Sequence, residues 1–93
     1  MHTNDTELMA LKNLGMASVN ILHAIGIHNY AELADIGAVK AYCKIKARDI
    51  QVSKVMLYAI EGALLDVHWN DISIQRKTQL VEEVEQQLRT TTQ

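Results

Sequence analysis

Five bases fall within fifteen residues in the middle of the chain: Lys40, Lys44, Lys46, Arg48 and Lys54, with Asp49 the one acid among them. Basic groups at that density can hold phosphates or the acidic face of a protein. The flanks have the opposite sign: residues 1–39 carry −3 and residues 55–93 carry −3, for a net charge of −2. Such a balance gives no general attraction to nucleic acid, so any such binding must be local. Lys40, Lys44 and Arg48 recur every four residues, which lines them along one side of a helix. Tyr42 is the aromatic within the block, and its spacing turns it inward, leaving bases nothing to stack on. The plainer reading of the block is a solvated helix face.

A second candidate lies at Leu14-Gly15. A helical run meets a two-residue break there, and a second run follows at once and stops at Gly26. Two short helices joined so tightly fold back on each other as a helix–hairpin–helix unit. Gly15 is expected to let the backbone turn sharply and approach another backbone closely. The N–H groups of Ala17 and Ser18 lie in the first turn of the second helix, where no intrahelical acceptor exists, and could hold a phosphate. No base lies beside them, and the surrounding third of the chain is acidic. A structural corner is therefore the first reading and a phosphate hairpin the second.

Other reactive residue types lack a constellation. His2, His23, His28, His68 and Cys43 show neither CxxC nor HExxH spacing, so no metal is expected. Cys43 has no second cysteine to resolve an oxidised form, falls on the flank of its helix, and has only Lys44 and Lys46 near it to lower its pKa. Glu61 sits in an apolar helix, but Asp66, five residues on, is poorly placed for the same face. The plain expectation for Glu61 is a pairing with a neighbouring base. Trp69 is read as a plug at a helix end. No catalytic residues, cofactor or enzymatic activity are expected.

These side chains need helices to position them. The chain has no proline, no phenylalanine and four glycines, and is rich in Ala, Leu, Ile and Val, which favours helix over sheet. We read an all-α chain of about six short helices. The first opens near Asn4, with Glu7 completing a capping box, and ends near Asn13. The second runs from Met16 to Ile25, with Gly26 as its left-handed cap. The third, Tyr30 to Ile36, is capped by Asn29 and Glu32 and stopped by Gly37. The fourth covers Ala38 to about Ala47, with Ala38, Ala41, Tyr42 and Ile45 facing the core. The fifth, from Lys54 after Ser53 to about Val67, is apolar nearly all round and therefore central. Gly62 inside it marks a close helix–helix contact. The sixth starts after Ser73 and runs to about Arg89, with Ile74, Lys77, Leu80, Val81, Val84 and Leu88 within one third of its circumference. Thr90 to Gln93 should fray.

At this point the residues resemble a known family. Leu11, Asn13-Leu14-Gly15, Ser18, Leu22, Gly26-Ile27, Leu33, Gly37-Ala38-Val39 and Ala41-Tyr42 form one ordered series. Val52-Ser53, Leu57-Tyr58-Ala59, Glu61-Gly62-Ala63-Leu64 and His68-Trp69 continue it. Together, over roughly residues 8–82, they are similar to the C-terminal domain of TfoX/Sxy-type regulators of natural competence. The resemblance implies a compact bundle of about five to six short helices whose N-terminal half is helix–hairpin–helix-like. In full-length members this domain follows an N-terminal α/β domain, and the whole assists transcription of DNA-uptake genes with a cyclic-AMP receptor protein. The present chain resembles the free-standing versions. The family often carries Pro-Lys where this sequence has Met16-Ala17. Proline would preorganise the turn and lysine would add a charge beside a bound phosphate.

The reading that follows is one helical domain over 1–93, acting in a bacterial cytoplasm as a regulatory adaptor on an unidentified protein partner. The alternative is weak, sequence-nonspecific nucleic-acid binding through the basic block or the Gly15 hairpin. One lone cysteine suits a reducing compartment, and no apolar run approaches bilayer length. Val84 and Leu88 extend beyond the region of resemblance and form a candidate assembly face, for example in a homodimer, or else dock on the first helix.

Overall fold

The computed structural model describes residues 7–91, so the expected cap at Asn4, His2 and the last two residues lie outside the described residues. Residues 7–9 are helical, and the chain then turns through 10–15, leaving the helix before the expected exit near Asn13. Helix α1 follows at Met16–Ala24. The long helix α2 covers Tyr30–Ala47 and is broken at Gly37, whose φ of +80° and ψ of 165° are non-helical. The two expected helices are thus the two arms of one element, and the break needs a residue that tolerates positive φ. Helix α3 is Lys54–Leu65, a 3-10 turn spans Trp69–Asp71, and helix α4 is Ile74–Thr91. Among the described residues there is no strand, and the architecture is an all-α bundle.

Local chemistry explains the ends. Asn29 caps α2 by accepting from the Glu32 N–H at 2.9 Å. The Glu32 carboxylate accepts from the His28 N–H at 2.7 Å, and Glu7 reaches across to accept from the Tyr30 N–H at 2.9 Å. Ser53 caps α3 and Ser73 caps α4 through the Val55 and Arg76 N–H groups. Helices α1, α2 and α3 all finish in the Schellman arrangement, with Gly26, Asp49 and Asp66 at the left-handed position. The next residue in each case, Ile27, Ile50 or Val67, donates back to the carbonyl of Leu22, Ile45 or Gly62.

The core gathers around α3. Met56, Leu57, Ala59, Ile60, Glu61, Gly62 and Ala63 are all buried there. The helix packs against α2, the 3-10 turn and α4. Val55 and Leu65 are nevertheless exposed, so α3 is central without being enclosed. Leu8, Leu22, Leu33, Ile45 and Leu80 complete the fully buried set from the other elements.

Several expectations change. Gly15 is extended, with φ of −98°, and nothing lies within 4 Å of where its Cβ would be, so neither turn nor contact demands glycine there. The residue that takes the strained conformation is Asn13, at φ of +71°. Ile74, expected in the core stripe of the last helix, is 81% exposed. Cys43, expected on a flank, is buried, with its Sγ 4.0 Å from the Val84 carbonyl oxygen.

The close contact at Gly62 is with a turn. The Asn13 side-chain amide donates to the carbonyls of Ala59 at 3.3 Å and Val67 at 3.0 Å, and its oxygen accepts from the Trp69 N–H at 3.0 Å. A Cβ on Gly62 would sit 2.5 Å from that amide nitrogen and 2.7 Å from the Val67 carbonyl oxygen. Gly62→Ala should therefore destabilise by about 1–3 kcal/mol through overpacking, although alanine is the better helix former. Asn13→Gly keeps the backbone freedom and removes the three hydrogen bonds, costing a further ~1–3 kcal/mol. The double variant should lose less than the sum of the two, because part of the Gly62→Ala clash is with the Asn13 amide. Urea unfolding followed by circular dichroism measures all three. A higher midpoint for Gly62→Ala would overturn this account.

Candidate functional site

The basic block divides between two elements. Lys40 and Lys44 stand exposed on the second arm of α2, and Arg48, also exposed, is its C-terminal cap residue. No carboxylate of the described residues lies within ion-pair distance of these three. Lys46 belongs to another side of the helix, half-buried with its ammonium 5.9 Å from the centre of the Tyr42 ring. Lys54 is exposed in the first turn of α3. The usable unit is therefore the row Lys40, Lys44 and Arg48. Tyr42 is buried, so the row has no stacking platform.

The hairpin is built differently from a phosphate grip. Gly15 and Ala17 are exposed and Ser18 is half-buried, and no side chain caps the start of α1. The shallow groove beside it is lined by Asn13, Ala17, Ser18, Ile21, Val55 and Trp69 among others, with no charged side chain in its lining. A phosphate there would meet N–H groups without a cation, and phosphate affinity depends chiefly on cations.

A larger groove of about 620 Å³ opens beside the Gly37 break. Its floor holds the ion pair of Glu61, 8% exposed, with Arg76 at 2.9 Å. This is the pairing expected for Glu61. Arg76 also meets Glu83 at 3.8 Å and donates to Gln79, and the Glu61 hydrogen bond holds its proton more firmly than usual. With Lys40 on the rim, two bases face two acids, so the groove carries no net charge to draw an ion.

Sequence reasoning missed an aromatic cluster. Trp69 stacks on Tyr58 with ring centres 6.3 Å apart and on His68 at 6.0 Å. The Lys77 ammonium lies over both larger rings, 5.4 Å from Tyr58 and 5.1 Å from Trp69. The signal that could have found it is the spacing of Tyr58 and Lys77 on helices that meet near Trp69. Val84 and Leu88, the candidate assembly face, turn into the chain's own core: Val84 is buried and Leu88 packs half-buried against it. Among the described residues no group of three His, Cys, Asp or Glu could hold a metal, and no helix is long and apolar enough to cross a membrane.

Helices packed around a central α3, with residues 10–15 turning the chain into α1, define a compact all-α domain. A family model for the TfoX C-terminal domain matches residues 4–84, and the chain belongs to that family. Solved structures share the fold. An uncharacterised protein from Listeria monocytogenes, in a triclinic crystal form, is 33% identical with a TM-score of 0.74, over 78% of this chain and 83% of that one. A protein of unknown function from the same organism, in a tetragonal form, is 30% identical with a TM-score of 0.78, over 85% of this chain and 98% of that one. No curated protein matches.

Burial pushes the Cys43 thiol above its ordinary pKa, so the neighbouring lysines do not make it a reactive thiolate. Burial, then the nearness of Cys43 and Tyr58, pushes the Tyr42 phenol up as well. Groups raised on folding contribute stability that is complete below their unfolded values, about 8.5 for a thiol and 10 for a phenol. That stability is lost as the pH rises through the folded values. The urea midpoint should hold between about pH 7 and 8 and fall above about pH 9. Cys43→Ala and Tyr42→Phe should each flatten the fall. An alkaline slope identical in parent and both variants would refute the assignment.

Proposed function

We propose that the chain is a non-enzymatic regulatory domain that acts by docking on an acidic protein surface, as an adaptor in transcriptional control. The observation that carries this reading is the separation of the hairpin from the cations. The groove beside the start of α1 has no charged side chain in its lining, whereas the exposed row of Lys40, Lys44 and Arg48 stands on another helix with no carboxylate partner among the described residues. Charge without a stacking aromatic suits a protein face better than a nucleic-acid strand. Membership of the TfoX C-terminal domain family supports the regulatory role and a link to competence. A bacterial cytoplasm is the matching location, and one helical domain the matching organisation.

The same row favours one second reading, weak and nonspecific binding to nucleic acid. With about three phosphates neutralised, affinity would fall with salt at a log–log slope near −3. A titration with duplex and single-stranded DNA at ~50 mM salt, where phosphate contacts are strong, separates the two. We expect no binding there, and retention of an acidic partner from cell extract that is lost in Lys40→Glu/Lys44→Glu. Salt-steep DNA binding abolished by the same substitutions would replace the adaptor reading. Tight DNA binding indifferent to them would return the function to the Gly15 hairpin.

A further inference from the structure

Helix α4 leaves one stripe uncovered. Its buried side carries Leu80 and Val84. On the adjoining side Ile74 is 81% exposed, Thr78 is exposed and Val81 is half-buried, with one edge packed on the core. These three residues follow one another at spacings of four and three, the seam of a two-helix contact. They line an open, mostly apolar groove of about 360 Å³ with Tyr58, Lys77 and Glu82. Lys77 flanks the stripe on one side and Glu82 on the other, five residues later. Neither has an ion-pair partner among the described residues.

We propose that this face binds a second copy of the same chain, with the two α4 helices side by side and parallel across a two-fold axis. In a parallel pair, a residue on one flank meets the residue five positions later on the opposite flank of its partner. Lys77 of each copy then faces Glu82 of the other, and Ile74, Thr78 and Val81 meet their own counterparts. The patch is self-complementary, carrying both signs of charge on opposite sides of one apolar stripe, which is what an isologous contact requires. Lys77 is already held over the Tyr58 and Trp69 rings, so little of its freedom remains to be lost on pairing. Glu85 comes next on the stripe and would face its own copy, which ends the contact after about two turns. The dimer is therefore weak and salt-sensitive.

Sedimentation equilibrium on the full chain at low salt tests this. The apparent mass should rise from 10.4 kDa toward twice that value. The rise should fall between ~20 μM and ~1 mM, the range of a small contact. Lys77→Glu and Glu82→Lys should each weaken association by ~10-fold or more through facing like charges. The double variant Lys77→Glu/Glu82→Lys should restore it, because the swap keeps each pair opposite in sign. Ile74→Asp, at an exposed position where folding is not at stake, should abolish it, with circular dichroism confirming native helix. A strict monomer throughout, association unchanged by Ile74→Asp, or a folded double variant as weak as the single ones would each overturn the proposal.

Discussion

The three hydrogen bonds of the Asn13 side chain are the constraint on which the rest of this structure depends. They join the turn before α1 to the last turns of α3 and to the backbone of Trp69. Each satisfies a polar group that would otherwise be costly to bury. The amide can enter only because Gly62 has no side chain, and it can point there only because Asn13 adopts a left-handed backbone, which asparagine tolerates better than most residues. With Trp69 fixed in this way, its ring lies against Tyr58, and Lys77 on α4 has a surface to rest on. One polar contact thus sets the relation between the hairpin, the central helix and the start of α4.

The second tie to α4 is ionic. Glu61 points from the buried part of α3 and could not remain a buried charge without a partner. Arg76 supplies it at 2.9 Å in the first turn of α4, while Glu83 and Gln79 occupy further donors of the same guanidinium. Between the Asn13 clasp and this pair, α4 is held at its N-terminal end by polar contacts. Leu80, Val84 and Leu88 pack its remaining length on the core. The edge beside those residues carries Ile74 and Thr78, exposed, and Val81, half-buried against the core.

Much of this was legible in the sequence because it follows from local rules. Helix type, the caps at Asn29 and Ser53, the stops at Gly26 and Gly37, and the inward turn of Tyr42 all depend on neighbours a few residues away. What was not legible depends on contacts across dozens of residues. Asn13 meets Ala59 and Val67 at separations of 46 and 54 residues, and nothing near Asn13 announces that pairing. A stripe one-third of the circumference wide admits Ile74 of α4 by periodicity. The core covers only part of that arc, so Ile74 was displaced outward while Cys43, from outside the expected stripe of α2, was drawn in beside Val84. The Lys46 position was lost for the same reason: a charge block in sequence is not a patch until the helix phase divides it.

Two of the segments in the family resemblance are Asn13-Leu14-Gly15 and Glu61-Gly62-Ala63-Leu64. In space they are the two halves of the same clasp, with Glu61 adding the ion pair to α4. Leu14 is buried and Ala63 is buried, whereas a side chain at Gly15 would meet nothing within 4 Å. The resemblance therefore reports how the chain is held together. The residues of the proposed contact surfaces lie outside those two segments: Lys44 and Arg48 at the end of α2, and Ile74, Lys77 and Glu82 along α4. Such a division is physically reasonable. A domain of 93 residues has a thin margin of stability and must keep its clasp, while exposed positions can change at little cost to folding. In the proposed reading, recognition rests on that surface chemistry, presented at fixed spacing on helices that the clasp and the ion pair keep in place.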